Sequence, residues 1–223
     1  LRILLVRHGL SSFNLEHRIQ GRDDLSSLTE AGVKQALATG EALRDLPLTA
    51  AYSSPLRRAH DTATALLAAH GGGLELQLDD DLLEVDLTPW SGLLSREVRE
   101  RFPEAHNTWT HHPEQLQLQR SDGSSYAPIP ELMDQAQRFA ARLLERHDPA
   151  SPSAQTVLVV GHNAILRCLL LTLLGLPASG FRRLRLDNAS LSVLNLSPSE
   201  SGGVAVQIES LNGTTHLHSE VCG

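Results

Sequence analysis

Cysteine is scarce in this chain: there are 2, Cys168 in an apolar helix-like run and Cys222 near the terminus. Neither has CxxC or zinc-ligand spacing, so no disulfide framework or thiolate metal cluster follows, and the two read as a buried thiol and a tail residue. Lysine is scarcer still. Lys34 stands alone, so arginine supplies nearly all of the 19 basic side chains. Planar guanidinium groups suit bidentate phosphate contacts, although a compositional bias of the genome would produce the same preference. There is no positive excess: the formal net charge is -7, which argues against nonspecific binding to nucleic acid or an anionic membrane. An anionic small molecule stays open as a partner, because a pocket needs only local cations. Long apolar runs are missing as well. The longest, Leu169 to Leu176 after Arg167, is too short to span a bilayer, and Ile3 to Val6 is too short for a signal peptide. The expectation is a cytoplasmic protein without membrane association. The chain begins at Leu1 rather than methionine, so a trimmed or partial sequence is expected too.

What is present suits a globular protein. With 223 residues, 41% hydrophobic and 20% charged, one large domain over residues 1–223 can bury a full core. Two short runs, Ile3-Leu4-Leu5-Val6 and Val157-Leu158-Val159-Val160, are continuously apolar and rich in β-branched residues. That is the pattern of strands buried on both faces of a parallel sheet. Between them the helical period recurs. Thr29 caps a predicted helix with Val33, Leu37, Gly40 and Leu43 on one stripe, ending before Pro47. A strand over Ala51 to Ser53 precedes a helix from about Leu56 to Ala69, ended by Gly71-Gly72-Gly73, and a strand near Leu74 to Leu78. Leu132, Ala136, Phe139 and Leu143 mark another amphipathic helix. An apolar helix to about Leu174 and strands over Leu191 to Leu196 and Val204 to Leu211 close the chain. The expected fold class is α/β, a three-layer α/β/α arrangement around a mostly parallel sheet. Residues 86–128, with Pro89, Trp90, Trp109 and the polar Ser121 to Tyr126 stretch, fit least well and read as an inserted cap that confers specificity.

Both buried runs end in a histidine, Arg7-His8-Gly9 and Gly161-His162-Asn163, at the carboxyl edge where ligands bind in open α/β sheets. Ser53-Ser54-Pro55-Leu56-Arg57-Arg58-Ala59 adds arginines in the first turn of a helix, whose free N–H groups already favour an anion. One strand-end histidine would be weak evidence. Two histidines and two arginines at such edges are better explained by a phosphate pocket. Metal ligation is not implied. Asp79-Asp80-Asp81 reads as a solvated turn before a strand, and the rings of adjacent His111 and His112 would point apart.

Leu5-Val6-Arg7-His8-Gly9 with Asn14 resembles the signature of the histidine phosphatase, or phosphoglycerate mutase-like, superfamily. Gln20-Gly21, Ser54 to Ala59, Glu84 before Trp90-Ser91-Gly92, and Gly161-His162-Asn163 follow in that family's order, from residue 3 to about 170. The resemblance implies a metal-independent phosphatase with no cofactor, acting on a small phosphorylated metabolite. His8 would be the nucleophile and Glu84 the acid and then the base. Arg7, Arg57 and His162 would supply cations, with Asn14, Gln20, Gly21 and Asn163 completing the phosphate site. Many members have Trp-Glu-Gly where this chain has Trp90-Ser91-Gly92, which removes a second carboxylate near the pocket.

Three further readings compete. Phosphoglycerate mutase-type transfer would call for an arginine-rich insertion, and Trp90 to Pro128 has only Arg96, Arg99, Arg101 and Arg120, without the paired-arginine and tyrosine motif. A non-catalytic binding module would show loss of His8, Arg57, Glu84 or His162, and all four are present. Action on a phosphoprotein would be restricted by the long 86–128 segment. Within the phosphatases, Glu84-Val85-Asp86-Leu87, Phe102-Pro103-Glu104 and the tail from Leu211-Asn212 to His216-Leu217 are similar to metal-independent phosphoserine phosphatases of photosynthetic bacteria. The Val204 to Leu211 strand is a candidate for pairing across a homodimer.

Overall fold

A run of β-branched residues with no polar alternation can satisfy its backbone and bury both faces only inside a covered sheet. The computed structural model describes residues 1–200 and 202–218 and puts both runs in such a place. β1 (Arg2–Arg7) lies parallel to β6 (Thr156–Gly161), with Ile3 opposite Val157 and Arg7 opposite Gly161. β2 (Ala50–Ser53) and β3 (Leu76–Leu78) continue the parallel set beyond β6. On the other side β7 (Leu191–Pro198) runs antiparallel to β1, and β8 (Val204–Gly213) antiparallel to β7. The six-stranded order is therefore β3-β2-β6-β1-β7-β8. The helices are α1 (Ser12–Leu15), α2 (Glu30–Ala42), α3 (Arg57–His70), α4 (Ser95–Arg101), α5 (Pro103–His111), α6 (Pro128–Arg146) and α7 (Asn163–Leu173). None is long and apolar enough to cross a membrane. A short hairpin, β4 (Leu118–Gln119) with β5 (Ser125–Tyr126), stands apart from the main sheet.

Strand periodicity divides the core into two layers. Leu4, Val6, Leu158 and Val160 face Leu43, Ala63 and Leu66 of the α2–α3 layer. Ile3, Leu5, Val157 and Val159 face the other way, toward Phe139 and Leu143 of α6 and Ile165 and Leu169 of α7. Cys168 is buried in that second layer, where desolvation pushes its thiol up from the ordinary range. Cys222 lies outside the described residues.

Two sequence expectations are corrected. Thr29 does cap α2, accepting from the Gly32 N–H, but Val33 and Leu37 are 40% and 41% exposed. The buried stripe is shifted by one residue, to Gly32, Ala36, Thr39 and Gly40, with Leu43 just beyond. Close approach decides this: a Cβ on Gly40 would run into the Leu66 carbonyl of α3, so small residues and not large apolar ones face the partner. Asp79 and Asp81 are likewise no solvated turn before a strand. They follow β3 and are ion-paired to α6, Asp79 with Arg142 at 2.8 Å and Asp81 with Arg138 at 2.7 Å.

The 86–128 segment forms α4, α5 and the β4–β5 hairpin. Its Trp90, Val98, Leu116 and Tyr126 belong to the same buried cluster as α6 and α7, so this segment is packed into the main core.

Candidate active site

The carboxyl ends of β1 and β6 are adjacent, so the residues just past them meet. The His8 and His162 ring centroids are 5.2 Å apart, inclined at 60°. Both side chains are buried, but only His8 lines the cavity of about 210 Å³ that opens at this edge. The His162 ring stands beside that of His8. Gly9 brings the loop against α2: a Cβ there would lie 2.5 Å from the Gly32 carbonyl oxygen, and only glycine fits. The Gly9 N–H donates to Thr62 Oγ1 of α3 at 3.0 Å, which ties the loop to a second helix.

His8 Nδ1 is 2.8 Å from the Gly9 carbonyl oxygen. A carbonyl can only accept, so Nδ1 carries the proton and Nε2 keeps its lone pair. Among the described residues Nε2 has no hydrogen-bond partner. Burial, then the Arg58 and Arg7 charges, hold this imidazole well below the ordinary histidine range, so it is neutral at pH 7. The same influences act on His162, with His8 added. His162 Nε2 is 2.8 Å from Ser54 Oγ, while its buried Nδ1 has no partner among the described residues.

The cations come from Arg7 and Arg58. Arg7 donates from Nη1 to the Leu186 carbonyl at 2.7 Å, and its buried Nε has no partner among the described residues. Desolvation lowers its pKa to about 10, against the opposing pull of Glu84, so it stays charged near neutrality. The second arginine is a correction: the structure brings Arg58 to the cavity and leaves Arg57 exposed and outside it. Arg58 is fully buried, donating from Nη2 to the Gly21 carbonyl at 2.8 Å and from Nη1 to that of Asp23 at 3.1 Å. Helix geometry is the reason. Arg58 shares the inward face of α3 with Thr62 and Leu66, four and eight residues on, whereas Arg57 is rotated about 100° off that stripe. Gly21 adopts φ +57°, a left-handed conformation that aims its carbonyl at Arg58.

Asn14, Gln20, Gly21, Glu84 and Asn163 all line the cavity. Asn14 Oδ1 accepts from Asn188 Nδ2 at 3.0 Å and lies 3.0 Å from Ser11 Oγ, and its amide N–H groups have no partner among the described residues. Asn188 Nδ2 is also 3.1 Å from the His8 carbonyl, so one side chain links the loop to Asn14. Gln20 Oε1 takes Ser26 Oγ at 2.8 Å. Ser91, which stands where the resemblance has glutamate, donates to the Gln20 carbonyl at 2.9 Å. Glu84 is set at the N-terminus of α7: Oε1 accepts from the Val85, Ala164 and Ile165 N–H groups at 2.9, 3.2 and 3.2 Å. Arg22 braces it from behind, donating from Nε to the Glu84 carbonyl at 2.9 Å and from Nη2 to Gln135 at 2.8 Å. Among the described residues, no three His, Cys, Asp or Glu side chains gather as a metal site would require.

Arg18, Trp109, Arg167, Phe181 and Arg182 also line the cavity, and sequence reasoning missed them. Arg167 alone left a signal, lying four residues beyond Asn163 and so on the same face of α7.

Buried imidazoles flanked by guanidinium and amide donors, at the carboxyl edge of a mostly parallel sheet, make an anion-binding arrangement on an α/β scaffold. The histidine phosphatase superfamily (branch 1) pattern matches residues 3–208, and the chain belongs to that family. It is 37% identical over 202 residues to a probable 2-carboxy-D-arabinitol-1-phosphatase of Arabidopsis thaliana, covering 91% of this chain and 39% of the plant protein. The chain thus spans about two fifths of that relative's length. It is 35% identical over 217 residues to phosphoserine phosphatase 1 of Hydrogenobacter thermophilus, covering 97% of this chain and 94% of that one. Among solved structures it superposes on a mycobacterial glucosyl-3-phosphoglycerate phosphatase in complex with VO3, with TM-score 0.80, 27% identity and coverage of 96% and 99%.

Proposed function

We propose that this chain is a phosphatase that hydrolyses a small phosphate monoester, without metal, through a phosphohistidine on His8 Nε2. The observation that carries this reading is the Nδ1–Gly9 carbonyl hydrogen bond of 2.8 Å. It makes Nε2 the nucleophilic nitrogen of a neutral, buried ring that faces the cavity. Phosphoryl transfer spreads negative charge over the equatorial oxygens, so catalysis is mostly positioning and charge stabilisation. Arg7 and Arg58, each with a buried unpartnered Nε, meet that charge, and the Asn14, Gln20 and Asn163 side chains and the unpartnered His162 Nδ1 take the remaining oxygens. Arg58 here takes the part that the resemblance implied for Arg57.

In the first step the lone pair of Nε2 forms the N–P bond and the ester P–O bond breaks. Glu84, protonated, gives its proton to the departing alkoxide. Glu84, now a carboxylate, takes a proton from water as that water attacks phosphorus. The N–P bond breaks and the electron pair returns to Nε2. Glu84 Oε2, which makes a single contact to the Ala164 N–H, is the oxygen with lone pairs to spare for both transfers.

The relatives' names point to small phosphorylated metabolites, phosphoserine among them, as substrates. The 86–128 segment lends Leu87 and Trp109 to the cavity wall, which supports its reading as a specificity insertion. A cytoplasmic setting belongs to the same proposal and rests on composition. Rapid quench into alkaline detergent, with substrate radiolabelled in its phosphoryl group, tests the mechanism. An acid-labile, alkali-stable phosphoenzyme is expected, absent in a folded His8→Ala variant that has lost turnover. A folded His8→Ala enzyme that still turns over refutes it.

A further inference from the structure

The cavity holds more positive charge than a phosphate monoester can use. Five guanidinium groups line it, those of Arg7, Arg18, Arg58, Arg167 and Arg182, against one carboxylate, Glu84. Arg18 has its own partner outside the cavity, Glu16, at 2.6 Å. A phosphoryl dianion at His8 is served by Arg7 and Arg58. Arg167 and Arg182 are then left over.

Neither is explained by the fold. Arg167 projects from α7 and makes no hydrogen bond or ion pair among the described residues, and its Nε is buried without a partner. Its guanidinium lies 5.1 Å from the Phe181 ring centroid. Arg182, at the mouth, stacks 4.9 Å from the Trp109 ring centroid and 5.6 Å from that of Phe181, and it donates to the Trp109 carbonyl. Glu84 is the carboxylate that acts on Arg167 electrostatically, yet it lies beyond ion-pair distance and is already held by three backbone N–H groups. Charges acting on one another run outward in order, from Arg58 and Arg7 at His8 to Arg167 beside Arg7, then to Arg182 beside Arg167. A half-buried guanidinium without a partner is costly unless an anion completes it. The rings lie against both guanidinium groups, and a guanidinium edge matches a planar carboxylate with paired N–H groups.

We infer that Arg167 and Arg182, walled by Trp109 and Phe181, form a second anion subsite that receives a carboxylate of the substrate, which is therefore a phosphorylated carboxylic acid. Charge balance favours a carboxylate over a second phosphate. With Glu84 protonated, Glu16 counted and the phosphoryl dianion seated, the charges of Arg167 and Arg182 remain; Arg182 is exposed and screened by solvent, so a single carboxylate is enough to meet the buried charge of Arg167. The inference rests on the phosphatase reading above and deepens it.

Matched substrate pairs test it. O-phosphoserine and O-phosphoethanolamine differ only in the carboxylate, as do 3-phosphoglycerate and the phosphate monoester of ethylene glycol. The wild-type enzyme is expected to prefer the acid of each pair in kcat/KM by about 30-fold or more. In Arg167→Met that preference should fall to about threefold or less, chiefly through KM for the acid. Arg182→Gln, at the exposed mouth, provides a second variant if Arg167→Met folds poorly. A wild-type preference near unity overturns the inference, and so does an equal loss on both members of a pair in either folded variant. A stronger preference for 1,3-propanediol bisphosphate than for the acids would assign the subsite to a second phosphate and overturn it as well. Wild-type hydrolysis of p-nitrophenyl phosphate separates the two levels. If it proceeds without acid preference, only the subsite fails. If neither it nor any pair is hydrolysed, the phosphatase reading fails and the subsite with it.

Discussion

Replacing Arg58 and Arg57 in turn by alanine compares two adjacent arginines with opposite surroundings. The Arg58 guanidinium is fully buried, and its removal strips the Gly21 and Asp23 carbonyls of donors at 2.8 and 3.1 Å. A charged hydrogen bond contributes about 1.5–3 kcal/mol, and a buried carbonyl left unpaired costs about 1–3 kcal/mol. Partial relaxation of the Gly21 loop and entry of water offset some of this, so a stability loss of about 3 kcal/mol is expected. Truncating one partner of a desolvated charge contact costs about 2–5 kcal/mol in binding. For a contact that strengthens in the transition state this is a loss of about 30- to 5,000-fold in kcat/KM. Arg57 instead meets solvent, its side chain has no hydrogen bond or ion pair among the described residues, and its backbone N–H donates to Asp24 at 2.8 Å. That bond survives truncation, so Arg57→Ala should stay within about 0.5 kcal/mol in stability and about threefold in rate. Urea unfolding gives the first number and steady-state turnover of p-nitrophenyl phosphate the second. Arg58→Lys should recover part of the stability but little of the rate, because an ammonium cannot reproduce the fork. The reasoning is refuted if Arg57→Ala loses more than tenfold in rate while Arg58→Ala does not.

Other expectations follow from the same site. His8 and His162 are held well below the ordinary histidine range by burial first, so below about pH 6.5 the unfolded chain binds protons that the folded one refuses. Their contribution is complete above about pH 6.5 and is lost as pH falls, about 3 kcal/mol for the pair between pH 7.5 and 5.5. Urea titrations at the two pH values check this, and His8→Gln should remove about half of the drop; no change in that drop contradicts the burial argument. Asn188→Ala removes the donor shared by Asn14 Oδ1 and the His8 carbonyl. It should lower kcat/KM by about tenfold and stability only modestly, and unaltered kinetics would show that Asn14 needs no such support. Activity should persist after exhaustive EDTA treatment; loss restored only by added Mg²⁺ would reject metal independence.

The sequence alone determined whatever depends on local pattern. The runs Ile3 to Val6 and Val157 to Val160 each announced a doubly covered strand, because an unbroken apolar stretch leaves no solvent face. Each ended in a histidine, so the location of the site was legible too. The stripe Leu132, Ala136, Phe139 and Leu143 is the buried face of α6 as its period required. Where local signals were degenerate, tertiary packing decided. Arg57 and Arg58 are equivalent in composition, and only the contact of α3 with the sheet and the Gly21 loop chose which of them turns inward. Val33 and Leu37 looked like a core stripe, but the helices approach so closely that glycine and alanine occupy the contact. The outer cavity was beyond reach altogether. Arg18, Trp109, Arg167 and Arg182 come from four separate stretches of chain, and no periodicity links them. They meet because β1 and β6 lie side by side, and a contact between residues distant in sequence is a property of the packed chain.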